Sequence, residues 1–152
     1  MQLKLTGKYF LSLFFVLNFL FLSAQNNAID SLKTAIKTAK DDTSKVNTLY
    51  RSSSLLVDAG DFEKAMDHAL KGRVLAEKLM FKRGLAKTAN IIAVIYFNQS
   101  KYSEAMAFYL ESLKIKKELN DKKGMAKTLN NIAGIHENLG NFPEALNIIL
   151  PL

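Results

Sequence analysis

The sequence predicts an all-α protein, a right-handed solenoid of helical hairpins that follows an N-terminal signal peptide. Three observations support this prediction. Residues forty positions apart match along most of the chain, and apolar residues recur at helical spacings of three and four. Gly60, Ser100 and Gly140 stand at equivalent places in successive units, where a helix ends and the chain reverses. A fixed period of this length is typical of stacked repeat units and therefore decides the fold class.

The first 24 residues predict a secretory signal peptide. Lys4 and Lys8 accompany an almost entirely apolar run over 10–22, and small residues follow it up to Ala24. A membrane-spanning helix needs about 20 apolar residues, which is more than this run contains. We therefore expect cleavage near Ala24 and an exported protein, periplasmic or secreted, with no stable membrane insertion of the mature chain. An uncleaved N-terminal membrane anchor is the alternative.

The remaining chain divides into a short N-terminal segment and three repeats. Residues 26–43 predict a capping helix with Ile29, Leu32 and Ile36 on its apolar face. The predicted repeats cover 44–83, which is diverged, 84–123, and 124–152, which is truncated. The polar stretch 120–124 predicts the loop between the second and third repeats.

Small and aromatic residues recur within the repeats. The segment GLAKTAN at 84–90 returns as GMAKTLN at 124–130. Small residues in both helices of a repeat allow a close approach of the two helix axes. They are Ser53, Ala93 and Ala133 in the first helices, and Ala65, Ala105 and Ala145 in the second. Aromatic residues three positions before the second-helix alanines are predicted to fill the space beside the turn, namely Phe62, Tyr102 and Phe142.

This pattern resembles the tetratricopeptide repeat family, in its variant with a 40-residue period. The matching features are a large apolar residue such as Leu129, the pair Ile132 and Ala133, an aromatic residue such as Tyr96, the turn, and the second-helix alanine. The resemblance covers 44–152 and implies a scaffold that binds a protein or peptide. Similar repeats occur in exported N-terminal regions of bacterial signalling proteins of the sensor histidine kinase type. The alternative function is therefore a truncated sensory input region of a membrane two-component protein, whose output domain is absent from this chain.

The resemblance also implies a concave groove lined by the first helix of each repeat. Ile91 and Val94 are expected on this surface beside a ladder of polar residues. Amide groups can bind a peptide backbone and lysines can bind a carboxylate, but the same residues also suit an ordinary solvated surface. The candidate peptide-binding residues are Asn47, Arg51, Lys87, Asn90, Lys127, Asn130 and Asn131.

No enzyme activity, cofactor or metal site is predicted. The chain lacks cysteine, and its glycines occur singly at turns instead of in a phosphate-binding loop. Of the two histidines, His136 replaces a repeat aromatic and is expected to be half-buried, and His68 joins no metal-ligand pattern. The serines at 52–54 lie within a helix with no histidine expected in register, so no activated nucleophile is predicted.

Charge favours a protein partner over nucleic acid. The chain contains 21 basic and 14 acidic residues, and two of the lysines belong to the predicted signal peptide. The basic stretch 114–123 is interrupted by Glu118 and Asp121, and it predicts a solvated helix end whose lysines complement the helix dipole. The apolar segment at 148–150 suggests self-association through an uncapped C-terminal end.

Overall fold

The computed structural model describes the backbone of residues 7–149 and the side chains of residues 13–16 and 27–148. Within this part of the chain every regular element is an α-helix, which confirms the all-α prediction. In chain order the helices are α1 (Gly7–Thr38), α2 (Thr43–Asp58), α3 (Phe62–Lys78), α4 (Lys82–Asn98), α5 (Tyr102–Glu118), α6 (Lys122–Asn138) and α7 (Phe142–Ile149).

The 40-residue period has a simple geometric origin. Helices α3, α4, α5 and α6 each contain 17 residues. From α2 onwards, a turn of three residues separates each helix from the next. The loop predicted at 120–124 is wrong, because α6 already begins at Lys122. The carboxylate of Asp121 accepts a hydrogen bond from the backbone N–H of Gly124 at 2.9 Å and caps the helix there.

Every turn from 59–61 onwards ends its helix in the same way. In the turn after α3, the N–H of Phe81 donates to the carbonyl of Ala76 at 2.8 Å, and the N–H of Met80 donates to Glu77 at 3.0 Å. This is the Schellman arrangement, which places one residue in the left-handed region. The residues with positive φ are Gly60 (78°), Met80 (51°), Ser100 (58°), Asn120 (52°) and Gly140 (76°). The predicted turn positions are confirmed, and Met80 and Asn120 add a second set halfway between them.

The helices form the hairpins α2–α3, α4–α5 and α6–α7, and the second helix of each of the first two hairpins also packs on the first helix of the next. The hydroxyl of Ser53 donates to the carbonyl of Ala65 at 2.8 Å, which ties α2 to α3 at close range. All six predicted small residues are at most 3% exposed. Residues forty apart therefore occupy equivalent buried positions, as a repeat solenoid requires.

The aromatic residues beside the turns follow the prediction only in part. Phe62 and Tyr102 are half-buried, and the ring of Tyr102 lies 5.7 Å from that of Phe97. Phe142 is instead 66% exposed. The difference arises because α6 covers the side of α5 that carries Tyr102, whereas no helix among the described residues covers the equivalent side of α7.

The predicted N-terminal segments are described only partly. Residues 1–6 lie outside the described residues, and from Gly7 the backbone continues as one helix, α1, through the predicted signal peptide and into the predicted capping segment. Ile29 of α1 is 7% exposed and packs in a cluster with Leu56. None of the described helices combines the length and the apolar character needed to cross a bilayer. Of the apolar C-terminal segment at 148–150, residue 150 lies outside the described residues, as do the two residues after it.

Candidate functional site

The predicted peptide-binding residues lie on the first helix of each hairpin, namely α2, α4 and α6. Their surroundings differ. Arg51, Lys127 and Asn130 are exposed, and Asn131 is half-buried. These four side chains therefore remain accessible to a partner.

Asn47 and Lys87 form a pair between α2 and α4. The Nζ of Lys87 donates to the Oδ1 of Asn47 at 2.8 Å and lies 5.6 Å from the centre of the Tyr50 ring. A lysine held over an aromatic face gains a cation–π attraction in addition to its hydrogen bond. The two predicted peptide-binding residues are therefore bonded to each other, and their hydrogen bond connects the first helices of the first two repeats.

Asn90 points towards the junction of the second and third repeats instead of towards a partner. Its Oδ1 accepts from the hydroxyl of Thr128 at 3.1 Å and from the Nζ of Lys116 at 3.2 Å. The expectation that Ile91 lies on the groove surface is also wrong. Ile91 is 5% exposed and belongs to the core cluster with Leu56, because α4 packs against α2 as well as α5.

The predicted exposure differs most from the structure at Lys116. It was expected within a solvated lysine-rich helix end, but it is only 8% exposed. Its Nζ donates to the hydroxyl of Thr128 at 2.6 Å, and burial lowers the pKa of the ammonium group. The sequence did contain a signal for this position. Lys116 continues the buried stripe of Tyr109 and Ser112, and the residue forty positions earlier is the fully buried Ala76.

A hydrogen bond between a buried serine and a half-buried histidine links α2 to α3. The Nδ1 of His68 lies 2.8 Å from the hydroxyl oxygen of Ser52. The expectation that these serines have no histidine in register is therefore wrong, since the antiparallel hairpin brings residues sixteen apart together. Ser52 is fully buried, and the carboxylate of Asp67 is held 2.6 Å from the Nζ of Lys71. The hydroxyl of Ser52 is therefore closed to a substrate, and no carboxylate among the described side chains is hydrogen-bonded to the imidazole, whose pKa is lowered by burial.

An ion pair joins the second helices of neighbouring repeats. The Nη2 and Nη1 atoms of Arg73 contact the two carboxylate oxygens of Glu111 at 2.8 and 3.1 Å, and its Nε contacts Glu77 at 3.1 Å. The hydrogen bond to Glu111 raises the pKa of the guanidinium group. This forked contact connects α3 to α5, and it involves no residue of the predicted groove helices α2, α4 and α6.

Two clefts differ in their charge. The larger, of about 630 Å³, lies between α1, α2 and α3 above an apolar floor, and it contains none of the predicted contacts. Two of its rim lysines are paired with aspartates, Lys45 with Asp41 at 2.9 Å and Lys71 with Asp67 at 2.6 Å. The second, of about 440 Å³, lies beside Lys87 and is strongly basic. Among the described residues, no group of three or more metal-ligating side chains is assembled.

Comparison with known proteins supports the repeat assignment. The family model of the tetratricopeptide repeat matches residues 85–122 and 125–149. No curated protein matches the chain. Aspartyl phosphate phosphatase F from Bacillus subtilis is similar in structure, with 18% identity and a TM-score of 0.73 over 84% of this chain and 34% of that one. BtubC (BKLC) from P. vanneervenii is 22% identical, with a TM-score of 0.62 over 83% of this chain and 52% of its own.

The chain therefore spans about a third of the first of these structures and about half of the second. At such low identities the likeness concerns the fold alone.

Proposed function

Because the chain belongs to the tetratricopeptide repeat family, we propose that it is a scaffold that binds a protein or peptide partner along α2, α4 and α6. Helical solenoids offer extended concave surfaces to such partners. The observation that carries the proposal is the exposure of polar side chains on the first and last of these helices, at Arg51 of α2 and at Lys127 and Asn130 of α6. Two of the three are cationic, which favours a partner segment that contains acidic residues.

The proposal is tested by photo-crosslinking from position 130. A crosslinking residue in place of Asn130 is expected to capture a partner from an envelope extract, and the double substitution R51E/K127E is expected to abolish capture. The matched control is K114E/K117E, which changes the net charge equally at exposed positions of α5. Capture by R51E/K127E at the level of the unsubstituted protein would remove this groove from consideration.

We propose a binding role without a catalytic step or a cofactor. The enclosed geometry of Ser52 and His68 supports a structural role for the only serine–histidine pair among the described residues. Ser52→Ala is accordingly expected to lower the free energy of unfolding by about 0.5–1.5 kcal/mol, because it removes the hydrogen bond to a half-buried imidazole. Partner capture at position 130 should be unaffected once the variant is folded.

We also propose that the protein is exported to the periplasm or secreted. The basic start, the apolar run at 10–22 and the small residues up to Ala24 support this proposal. Cell fractionation combined with N-terminal sequencing tests it. A mature protein that begins near Gln25 outside the cytoplasm is expected, and an intact N-terminus in the cytoplasm would reject export.

The exposed apolar surface of the last hairpin supports an alternative and a further proposal. Leu139, Phe142 and Leu146 are 53–66% exposed, and they could contact a following segment of a sensory two-component protein or a second copy of the chain. Sequencing the DNA downstream of the coding region tests the first, which fails if no output domain is encoded. Sedimentation of L146E against the unsubstituted protein tests the second, which predicts a concentration-dependent oligomer that the substitution dissociates.

A further inference from the structure

The basic cleft lies where the C-terminal end of α5 meets the first turns of α4 and α6. Its volume is about 440 Å³. The lining residues carry four cationic side chains and one carboxylate, but the ammonium group of Lys87 is bonded to Asn47 of α2, so the other four charges leave a surplus of two positive charges. The charged residues of the lining are Arg83, Lys87, Lys116, Lys122 and Asp121.

Lys116 forms the buried wall of this cleft. Two of its three ammonium protons have neutral acceptors, the hydroxyl of Thr128 at 2.6 Å and the Oδ1 of Asn90 at 3.2 Å. No described carboxylate forms an ion pair with it, although it is only 8% exposed. Burial of a charge without an ion-paired partner is costly, and an anion in the cleft would add to the electrostatic attraction that Asp121 already exerts on Lys116.

The surrounding charges leave the cleft attractive to an anion. The single carboxylate, Asp121, caps α6 by accepting a hydrogen bond from the N–H of Gly124, and the cations of the lining outnumber its negative charge. Arg83 and Lys122 are exposed, and they form no ion pair with the side chains that the structure describes. A bound anion can therefore gain forked hydrogen bonds from a guanidinium group as well as contacts with lysines.

The preceding repeat provides an internal control. Forty residues earlier, the positions of Arg83, Lys87 and Lys116 are occupied by neutral residues, and Lys122 corresponds to Lys82, whose Nζ is bound by Glu118 at 2.8 Å. The neutral equivalents are Thr43, Asn47 and Ala76. The cluster of cations is therefore not required by the repeat architecture, and it is confined to the junction between the second and third repeats.

We propose that this cleft binds a dianionic oxyanion of the phosphate-monoester class, with Lys116 as its buried anchor. A dianion offsets the surplus of two positive charges, whereas a single carboxylate leaves one of them uncompensated. The phosphoryl group can belong to a free small molecule or to a phosphorylated side chain of the partner, since both present the same oxygens. Only the second source rests on the proposed peptide-binding function.

The test is calorimetric titration of the full mature chain with phenyl phosphate and with benzoate at low ionic strength. Phenyl phosphate is expected to bind more tightly than benzoate. Lys116→Met keeps the length of the side chain but removes its charge, and it is expected to weaken phenyl phosphate binding at least about tenfold. Lys114→Met on the same helix is exposed and lies outside the cleft, and it should bind as the unsubstituted protein does.

Equal affinity of K116M and K114M for phenyl phosphate, equal affinity of the unsubstituted protein for benzoate, or no binding at all would each overturn the proposal. The double variant R83Q/K122Q changes only exposed side chains, and it should also weaken binding about tenfold, which keeps the test valid if K116M does not fold. Inorganic phosphate and a phosphoserine peptide distinguish the two sources. If the phosphoserine peptide binds more tightly than inorganic phosphate and R51E/K127E weakens its binding, the source is a phosphorylated partner. If the peptide and inorganic phosphate bind with equal affinity and R51E/K127E changes neither, the source is a small molecule, and the cleft acts independently of the peptide-binding groove.

Discussion

Replacement of Met80 by glycine is expected to stabilise the protein. Met80 lies in the middle of the turn between α3 and α4 with a φ of 51°, and its side chain is 87% exposed. In this left-handed region a residue with a Cβ atom is strained by about 1–2 kcal/mol, a strain that glycine does not have. Little packing is lost with the side chain, because solvent already surrounds it.

The expected gain is the relieved strain minus the cost of a more flexible unfolded chain. Glycine increases the entropy of the unfolded state and so costs about 0.4–1 kcal/mol. We therefore expect the free energy of unfolding of M80G to rise by about 0.5–1 kcal/mol. For a chain of this length, such a change raises the midpoint of thermal unfolding by about 1–4 °C.

Gly60→Ala is the reciprocal change. Gly60 has a φ of 78°, and no heavy atom lies within 4 Å of the Cβ that alanine would add. The substitution therefore introduces backbone strain without a steric clash, and a loss of about 1 kcal/mol is expected. Urea denaturation followed by far-ultraviolet circular dichroism measures both variants, with M80A as the control that retains the strain. A loss of stability in M80G relative to M80A, or no loss in G60A, would refute the strain assigned to these turns.

The remaining predictions concern charged groups. Burial lowers the pKa of Lys116 below its ordinary 10.5, so the unfolded chain binds more protons between the two values, and the stability of the unsubstituted protein relative to K116M should rise as pH increases towards 10.5. Burial also lowers the pKa of His68 below 6.5, so urea titrations should show stability relative to H68Q falling as pH decreases through 6.5. In either case a pH-independent difference contradicts the prediction. Arg73→Lys loses the forked contact with Glu111, and a loss of about 0.5–1 kcal/mol in urea denaturation is expected, whereas an unchanged midpoint would show that the pair does not stabilise the fold.

The fold could be predicted from the sequence because it depends on repeated local patterns. The match between residues such as Ala93 and Ala133 reports directly on equivalent helix contacts, and both are buried as expected. The sequence predicted the turns that contain Gly60, Ser100 and Gly140, because glycine and serine are typical turn residues. Met80 and Asn120 adopt the same left-handed conformation without that composition, because the Schellman hydrogen bonds impose it on whichever residue follows the helix.

The candidate site was less predictable because it depends on which neighbours each polar side chain meets. The sequence placed Asn90 on the correct helix, but it could not show that Lys116 and Thr128 from two other helices would use its amide oxygen. Likewise, Ser52 and His68 belong to different helices, and their contact depends on the register of the hairpin. The 40-residue spacing shows which positions are equivalent, but it does not show which polar side chains of neighbouring helices will be bonded to each other.

In this repeat protein, a residue can be compared with the residue at the equivalent position forty residues away. A difference between the two shows a feature that the repeat fold itself does not require. Ala76 and Lys116 are both buried, so the scaffold requires only a side chain that fits there, and the charge of Lys116 needs another explanation. Tyr102 is half-buried whereas Phe142 is exposed, so the residue type is conserved while its cover differs. The first departure is chemical and is the observation from which the anion site at the repeat junction is proposed. The second is geometric and concerns the exposed apolar side chains of the last hairpin, so the two proposals can be tested independently.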